Sequence, residues 1–449
     1  MRSLPRRWRI RGALGVVLVA LLALTAAAVA SEESTAAATA IDSRAAAETI
    51  ISVQGVRFRD DVRGPSPSRL FAVDGDGDVQ WSYSGTRHGF RWLYDVDPLS
   101  NGNLLVTATV PGDTVVFEFD PETRTRAWTE RFDARDTHDV DLINGDELLV
   151  ANLRNYDVEA NVSRDRVFVY NRTRDEIVWE WQFRDHYPES TDNGFRVGWT
   201  HLNDVDEIDD GRFLASPRNF DQAIVINRST REIEMRLGRD DNRTKLFKQH
   251  NPDYLVGENG TPTMLVADSE NDRVVEYARV DGEWERTWAV RGFHWPRDAD
   301  RLPNGNTLVT DTKNNRVVEI TPTGEVVWAV AAPWGTYEAE RGRDGSHGPT
   351  VRQQNATGRY RVHGGELGRV EAGDSVGTWI ATAGEGTPAA AQARDLGVAF
   401  RRFEERFAPP WLSSWAFAAA VLAGVVALTW AAGELAFRYR RRRRGAEGP

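Results

Sequence analysis

The sequence contains no cysteine, which excludes disulfide bonds, thiolate zinc sites and cysteine nucleophiles. It also has neither a P-loop nor a dinucleotide-binding fingerprint, so we expect no nucleotide and no other cofactor. Lysine is almost as scarce, because Lys245, Lys248 and Lys313 are the three lysines among 449 residues. Arginine therefore carries nearly all of the positive charge.

The middle of the chain is strongly acidic, although the net charge of the whole sequence is −11. Eleven arginines and two glutamates lie in residues 1–30 and 411–449; without them, 45 basic and 65 acidic residues remain, a balance of −20 over 31–410. Such a surface repels nucleic acid, so we expect no nucleic-acid partner. An acidic surface with arginine in place of lysine suits a protein kept soluble in concentrated salt, and we predict a halophilic protein.

Each end of the chain carries an apolar segment. Residues 13–30 follow a basic cytoplasmic N-terminus at 1–12 and have the pattern of a signal anchor or a signal peptide. Residues 411–437 are long enough to span a hydrocarbon core of about 30 Å, and the arginines of the tail at 438–449 favour a cytoplasmic end. We therefore predict N- and C-terminal transmembrane helices, a location in the cell membrane and an extracellular middle region. Six glycosylation sequons in that region suggest a glycoprotein: Asn161, Asn171, Asn227, Asn242, Asn259 and Asn355.

Five segments of the middle region repeat one pattern, in which an aspartate precedes an apolar stretch, a turn and a β-branched run. They begin at Asp95, Asp139, Asp204, Asp253 and Asp298, with spacings of 44, 65, 49 and 45 residues. Each segment continues into two further short strands, and tryptophan occurs in the last strand of four of them. Four short strands in about 45 residues are the signature of a β-propeller blade.

We therefore predict an all-β, six-bladed β-propeller over residues 49–380; five or seven blades also fit the spacing. A strand from about 331–380 closes the ring by completing a sixth blade, whose other strands come from the start of the region: 49–55, 69–73 and 78–83. We interpret the tryptophans as packing between blades. A linker at 31–48 and a juxtamembrane segment at 381–410 flank the propeller.

Four histidines lie just before the aspartate of the repeat: His138, His201, His250 and His294. Residues that enter the innermost strand of a blade face the mouth of the central channel, so equivalent positions in consecutive blades converge there. Asn203 follows His201 closely, and Arg218 ends the next strand pair, which brings it back towards the same mouth. The first blade has Arg91, Trp92 and Tyr94 at this position. The alternative is that these histidines satisfy backbone groups at strand entries and that Arg218 is a surface residue.

Three of these motifs resemble the arylsulfate sulfotransferase family: THDVDLINGDELLV (137–150), THLNDVDEIDDGRFLASPRN (200–219) and KQHNPDYL (248–255). The resemblance covers roughly residues 50–335. It implies a six-bladed propeller that moves a sulfuryl group from an aryl sulfate to a phenol through a sulfohistidine.

The resemblance also implies a role for each matching residue. His250 would be the nucleophile, His201, Asn203 and Arg218 would hold the sulfuryl oxygens, and His138 would assist. We assign His294, an additional histidine, to substrate binding. Sulfuryl transfer through a loose transition state depends mainly on positioned hydrogen-bond donors.

Other functions remain open at this stage. A non-catalytic cell-surface propeller could bind a glycan, a peptide or a protein partner, since the fold alone does not define function. The four histidines could hold zinc, but no HExxH or similar local pair supports this. The stretch Asp74–Asp78 resembles the start of a calcium loop, yet Gly85 occupies the position of the bidentate glutamate. No metal site is therefore predicted.

Overall fold

The structure is a computed structural model, and it describes residues 6–34, 39–41, 45–59, 62–342, 347–364 and 414–446, with scattered positions between 376 and 407. It contains two compact units, one formed by Ala37–Glu371 and the other by Met1–Ala36 together with Ala372–Pro449. Most of the predicted juxtamembrane segment at 381–410 lies outside the described residues.

The described part of the larger unit contains six antiparallel blades, which confirms the predicted all-β six-bladed propeller. Around the central axis, the first strands of neighbouring blades contact each other at five of the six boundaries, and at the sixth the first strand of blade 2 contacts the second strand of blade 1. Blade 1 consists of β7 (Trp92–Pro98), β8 (Leu104–Val110), β9 (Asp113–Asp120) and β10 (Thr125–Phe132). Blade 2 consists of β11 (Val140–Ile143), β12 (Glu147–Asn152), β15 (Arg166–Asn171) and β16 (Glu176–Gln182). Blade 3 consists of β17 (Leu202–Asp209), β18 (Arg212–Pro217), β19 (Gln222–Asn227) and β20 (Ile233–Gly238).

Blades 4 to 6 follow the same order from the axis outwards. Blade 4 consists of β21 (His250–Val256), β22 (Pro262–Asp268), β23 (Arg273–Val280) and β24 (Glu283–Arg291). Blade 5 consists of β25 (Asp298–Arg301), β26 (Thr307–Asp311), β27 (Arg316–Ile320) and β28 (Val326–Ala331). Blade 6 consists of β29 (Thr336–Arg341), β2 (Thr49–Val53), β5 (Arg69–Val73) and β6 (Val79–Ser84). Two small hairpins extend from loops: β3 (Val56–Arg59) with β4 (Val62–Pro65), and β13 (Tyr156–Asp157) with β14 (Val162–Ser163).

Two blades gain a fifth strand at the outer edge. β1 (Thr39–Ile41) pairs antiparallel with β28, and β30 (Gly358–Arg361) pairs parallel with β24. Part of the predicted linker at 31–48 is therefore built into blade 5. Added strands of this kind cover backbone groups that an edge strand would otherwise leave unpaired.

Blade 6 closes the ring with strands from both ends of the larger unit. β29 pairs antiparallel with β2, so that Thr49 lies opposite Arg341 and Ile51 lies opposite Ala339. The closing strand falls within the predicted interval of 331–380. The hydrogen bonds of this one sheet join the N-terminal strands of the propeller to its C-terminal strand.

In blades 1 and 5, the same asparagine and glycine turn residues connect the first strand to the second. In blade 1 the Asn101 side chain accepts the backbone N–H of Asn103, and Gly102 adopts φ +86° between them. Blade 5 repeats this turn at Asn304 and Gly305, where φ is +88°. A positive φ favours glycine, so these two turns fix the strand register locally.

The tryptophans of the outermost strands pack between blades, as predicted. Trp288 Nε1 donates to the carbonyl oxygen of Pro322 in the next blade at 2.6 Å, and Trp328 Nε1 donates to Gly75 at 3.1 Å. Trp179 donates to Arg228 in the same way and stacks edge-on against Phe213, with ring centroids 5.2 Å apart. Each indole thus buries a large apolar surface and satisfies a backbone carbonyl across a blade boundary.

Replacing Trp328 with alanine should lower the free energy of unfolding by about 3–5 kcal/mol, because the fully buried indole leaves a cavity between blades 5 and 6. Denaturant unfolding of the detergent-solubilised chain measures this change. Val158→Ala is the control, since this side chain is 78% exposed and its loss should change stability by about 0.5 kcal/mol at most. Equal effects of the two substitutions would contradict the interblade role of Trp328.

The smaller unit contains two long helices, α1 (Arg6–Ser34) and α2 (Ser414–Ala446). Within the described residues, one segment is long and apolar enough to cross a membrane, Trp415–Tyr439 in α2. At 1.5 Å per residue it spans about 37 Å, which exceeds a hydrocarbon core of about 30 Å. The described apolar part of α1, Arg11–Ala23, spans only about 20 Å. The predicted N-terminal transmembrane helix is therefore much less well supported than the C-terminal one.

Glu434 within α2 has a partner in α1. Arg11 Nε donates to Glu434 Oε1 at 2.6 Å, and a second contact joins the same two side chains. A charge near a membrane is less costly when it is paired. This pair also brings the two helices of the smaller unit together.

A candidate active site at one mouth of the channel

Each blade brings one residue to the axis, which stands just before the acidic position of the repeat, or, in blade 4, before Asn251 at that position. We call the resulting set the entry ring: Tyr94, His138, Asn203, His250, Arg297 and Tyr337. Tyr337 joins several members, because its hydroxyl lies 3.2 Å from Nδ1 of His138 and 3.2 Å from the carbonyl oxygen of Asn203. Its ring centroid is 6.3 Å from that of His250. Side chains far apart in sequence therefore meet at one point.

β-Bulges explain how two successive residues can both face the axis. In a regular strand, neighbouring side chains point to opposite faces, whereas a bulge re-aims one of them. In three blades the register between the first two strands shifts at the same place in the first strand. The shift lies between Leu93 and Val96, between Leu202 and Val205, and between His250 and Pro252. The ring residue and the acidic residue that follows it can then both face the axis.

A cavity of about 310 Å³ lies against the entry ring. His138, His201, His250 and Arg218 all line it, so the structure brings together the four residues predicted as catalytic. The ring centroids of His138 and His201 are 5.3 Å apart, in an edge-on arrangement. Asn203 and His294, which were predicted to bind substrate, are not among the residues that line the cavity.

The His250 side chain is held from behind by Ser269. Its Nδ1 lies 2.8 Å from Ser269 Oγ, and that hydroxyl donates to the carbonyl oxygen of Ala267 at 3.3 Å. Because the hydroxyl proton goes to Ala267, Ser269 accepts from Nδ1–H of the imidazole. We assign from this network the tautomer that carries its lone pair on Nε2.

His201 sits in a backbone conformation that non-glycine residues seldom adopt, with φ at +46°. The preceding Thr200 is fixed by Asp165, whose carboxylate accepts its N–H at 3.1 Å and its hydroxyl at 2.8 Å. Burial, reinforced by the nearby Arg218, lowers the pKa of His201 well below its ordinary value. The imidazole is therefore neutral at pH 7.

His138 is buried between aromatic rings and one carboxylate. Its centroid lies 4.1 Å from that of Tyr94, and its Nε2 lies 3.6 Å from Asp136. Burial lowers the pKa of His138, and Asp136 opposes this effect. Asp136 also accepts the Tyr94 hydroxyl at 2.6 Å and pairs with Arg154 at 2.9 Å.

Arginines dominate the charge of the cavity. Four arginines line it, Arg91, Arg154, Arg218 and Arg297, and among the described residues Asp136 is the acidic side chain that lines it with them. Arg218 begins a short 3₁₀ turn directly after β18, where its Nη1 donates to Asn219 Oδ1 at 3.0 Å and its Nη2 lies 3.6 Å from Glu270. Planar guanidinium groups match the oxygens of a tetrahedral oxyanion. The lining is therefore suited to an anionic ligand.

Asn203 is placed beneath the cavity and not at its surface. Its Nδ2 donates to the carbonyl oxygen of Gln249 at 2.9 Å, and the residue is fully buried. Gln249 in turn donates to Ser216 Oγ at 3.1 Å. Asn203 thus positions the turn that carries His250, which differs from the predicted contact with substrate.

His294 differs most from its prediction. Its side chain is exposed, and its backbone N–H donates to Asp311 at 2.7 Å. Arg297, three residues later, takes the entry-ring position instead and donates to Gln54 at 2.6 Å. Its guanidinium lies 4.4 Å from the ring centre of Trp295, which also lines the cavity. The sequence does contain a signal for Arg297, because this residue stands directly before Asp298 of the repeat. A prediction based on histidines alone does not use that signal.

The fold and the cavity define the class of protein, a six-bladed β-propeller with three histidines and several arginines at one mouth of its channel. The sequence comparison is more specific. Residues 42–260 match the family model described as Arylsulfotransferase (ASST). This span includes His138, His201, Arg218 and His250, and the match agrees with the resemblance that the motifs carry. No curated protein matches the chain significantly.

Several solved structures are similar to the propeller. A protein of unknown function from Bacteroides caccae shares 12% identity over 66% of this chain and 98% of its own, with a TM-score of 0.45. A putative 6-phosphogluconolactonase from Bacteroides uniformis shares 11% identity over 66% and 98%, with a TM-score of 0.42. Virginiamycin B lyase from Staphylococcus aureus shares 10% identity over 53% and 69%, with a TM-score of 0.34. These values carry no inference about the activity of this chain.

Proposed function

We propose that the protein transfers a sulfuryl group from an aryl sulfate to a phenol, with His250 as the group that carries it. The observation that supports this most is the meeting of three histidines with arginines around one cavity. The family match covers His138, His201, Arg218 and His250. A neutral imidazole is a competent nucleophile, and a covalent intermediate divides the transfer into two easier steps.

In the first step, Nε2 of His250 attacks sulfur, and the bond between sulfur and the aryl oxygen breaks. The aryl oxygen leaves with the electron pair of that bond and takes a proton from the imidazolium form of His138, whose charge Asp136 stabilises. In the second step the acceptor phenol gives its proton back to His138, its oxygen attacks sulfur, and the N–S bond breaks. General acid–base assistance of this kind typically contributes 10²–10⁴-fold to the rate.

The arginines would stabilise the charge on the three sulfuryl oxygens. Arg218 and His201 line the same cavity, and Arg297 is 4% exposed. Donors that are already in place act without reorganisation and contribute more than they would in water. The aromatic rings of Trp92, Tyr94 and Trp295 offer apolar surface for the aryl group.

We also propose that α2 anchors the chain in the cell membrane and that the propeller lies outside the cell. The apolar span Trp415–Tyr439 leads into a run of arginines, which favours a cytoplasmic C-terminus. On this proposal the domains keep the predicted order, with the propeller between an N-terminal signal anchor or signal peptide and the C-terminal helix. Assays are best made in concentrated salt, where the acidic surface is screened.

Trapping of a labelled intermediate tests the proposal. The detergent-solubilised chain is incubated in high salt with ³⁵S-labelled 4-nitrophenyl sulfate and no acceptor, and the label is located by peptide mapping. We expect label on His250 and release of one 4-nitrophenol per chain, followed by turnover when phenol is added. His250→Ala should abolish both, with a loss of turnover of at least about 10³-fold.

His363→Ala is the matched control, because His363 is exposed and lies in β-bridge contact with Glu325 outside the cavity. It should retain the activity of the unsubstituted chain. If neither the unsubstituted chain nor the control transfers label from any of several aryl sulfates, the enzymatic proposal is wrong. A non-catalytic propeller that binds a glycan, a peptide or a protein then becomes the better description.

A further inference from the structure

The channel beyond the entry ring is lined by carboxylates. The first strand of each blade continues from the ring residue into two positions that face the axis, separated by one apolar residue. Eleven acidic side chains and one amide occupy these positions: Asp95/Asp97, Asp139/Asp141, Asp204/Asp206, Asn251/Asp253, Asp298/Asp300 and Glu338/Glu340. They line a second cavity of about 640 Å³, which we call the acidic channel.

The basic groups that line this cavity leave most of the negative charge uncompensated. Arg301 pairs with Glu276 at 3.1 Å and Arg341 pairs with Glu319 at 2.9 Å, and both of these glutamates belong to neighbouring strands away from the axis. His347 lies 3.1 Å from Asp253. Among the described residues that line the channel, these three are the basic ones.

We propose that the acidic channel binds a divalent cation, best satisfied by Ca²⁺, with Asp95, Asp97 and Asp139 as its central ligands. One carboxylate oxygen from each of these residues lies within 4.8 Å of the other two. Two oxygens bound to one calcium ion at the typical 2.3–2.6 Å lie no more than about 5 Å apart, so this spacing is compatible with a shared ion. The ion would join the innermost strands of blades 1 and 2 at the axis.

A second observation points to a ligand. Asp204 and Asp95 line this channel and are 5% and 3% exposed, and the Oδ2 atom of each has no hydrogen-bond partner in the described part of the chain. A buried carboxylate oxygen without a partner is costly, because its lost hydration is not replaced. A bound cation supplies the missing interaction.

The chemistry of the set favours calcium over smaller or softer ions. The three central ligands all offer carboxylate oxygens, whereas zinc and copper prefer sites that include nitrogen or sulfur ligands. The channel is wide and its carboxylates come from separate strands, so it suits the flexible coordination by 6–8 oxygens that Ca²⁺ accepts. Mg²⁺ demands near-octahedral geometry and keeps several of its waters.

The neighbouring acids show how crowded this charge is. Burial, together with the repulsion of Asp141 and Asp253, raises the pKa of Asp206 to about 8. Burial raises the pKa of Asp298 to about 7, with Asp253 adding to the effect. Carboxylates from several blades therefore repel one another within the channel.

Calorimetric titration tests the proposal. The detergent-solubilised full chain is treated with a chelator, exchanged into buffer of constant ionic strength and titrated with CaCl₂. We expect saturable binding of one ion per chain and a rise in the melting temperature. Asp95→Asn/Asp97→Asn should raise Kd by at least about tenfold, because ligand charge sets calcium affinity.

A charge-matched variant separates this site from the acidic surface. Asp133→Asn/Glu159→Gln removes two exposed carboxylates and should leave Kd for Ca²⁺ unchanged. MgCl₂ should bind more weakly to the unsubstituted chain than CaCl₂ does. If the double channel variant does not fold, Asp204→Asn is titrated instead and should also raise Kd.

Two results would overturn the proposal. One is the absence of saturable heat and of any change in melting temperature up to millimolar Ca²⁺. The other is an equal loss of affinity in the channel and surface variants, which would reduce the binding to general attraction by the acidic surface. Neither result depends on sulfuryl transfer, so the two proposals can fail separately.

Discussion

Replacing Arg218 with lysine is expected to lower kcat/KM for sulfuryl transfer by about 10²–10³-fold, with most of the loss in kcat. Lysine keeps the positive charge but loses the planar fork that addresses two oxygens of one sulfuryl group. Removing one preorganised donor from a developing oxyanion typically costs a factor of this size. The guanidinium is held by Asn219 at 3.0 Å and lines the cavity beside His201, so the loss should come from geometry and not from unfolding.

Steady-state kinetics with 4-nitrophenyl sulfate and phenol measures this effect. Arg243→Lys is the matched control, because that arginine is an exposed residue whose side chain is 62% accessible. A loss that appears entirely in KM would mean that Arg218 binds ground state and transition state equally. Activity of Arg218→Lys within about threefold of the unsubstituted chain would remove this arginine from the proposed transfer.

Replacing Arg301 with methionine is expected to lower the free energy of unfolding by about 3–5 kcal/mol, because it leaves a buried carboxylate without its partner. Arg301 and Glu276 are both fully buried, with Nη2 of the arginine 3.1 Å from Oε2 of the glutamate. Burial raises the pKa of Glu276, and Arg301 opposes that shift. The pair joins β25 of blade 5 to β23 of blade 4.

A double-mutant cycle separates the pair from its surroundings. Arg301→Met/Glu276→Leu should be far less destabilising than the sum of the single changes, since apolar replacement of a whole buried pair is often nearly neutral. Arg174→Met is the control, because Arg174 and Glu176 form an exposed pair whose side chains are about 60% accessible. Strictly additive single changes in denaturant unfolding would contradict a direct interaction between Arg301 and Glu276.

The architecture could be predicted because short sequence signals recur in each blade. An aspartate, a turn and a tryptophan recur every 45 residues or so, and each of them sets one feature of a blade. The closing strand β29 was harder to locate, because its partner β2 lies at the opposite end of the propeller sequence. It was found only as an interval, and the pairing of Thr49 with Arg341 fixes it.

The site was partly predictable for a similar reason. His138 stands directly before Asp139, and His250 stands directly before Asn251 at the equivalent position of blade 4, so their register brings them to the axis. Selecting histidines as a residue type then led to His294 and away from Arg297 and Tyr337, which share that register. A position in a repeat carries structural information whatever residue fills it.

The bulges could not be predicted. A pattern of alternating faces assigns Tyr94 and Asp95 to opposite sides of the sheet, and only the shifted pairing between Leu93 and Val96 allows both to face the axis. The acidic channel could not be predicted from the sequence either. Its aspartates were visible in the sequence as the start of each repeat, but nothing local indicated that they converge.

The closure of blade 6 has a consequence for how the chain is made. β2 leaves the ribosome early, yet its partner β29 emerges only after five further blades. Until residue 341 has been synthesised, the propeller cannot complete its circle, and β2 keeps one edge open to pairing with other chains. A chain that stops before Thr336 would lack the strand that locks the ring, so we expect premature termination there to yield aggregated material and not a five-bladed protein.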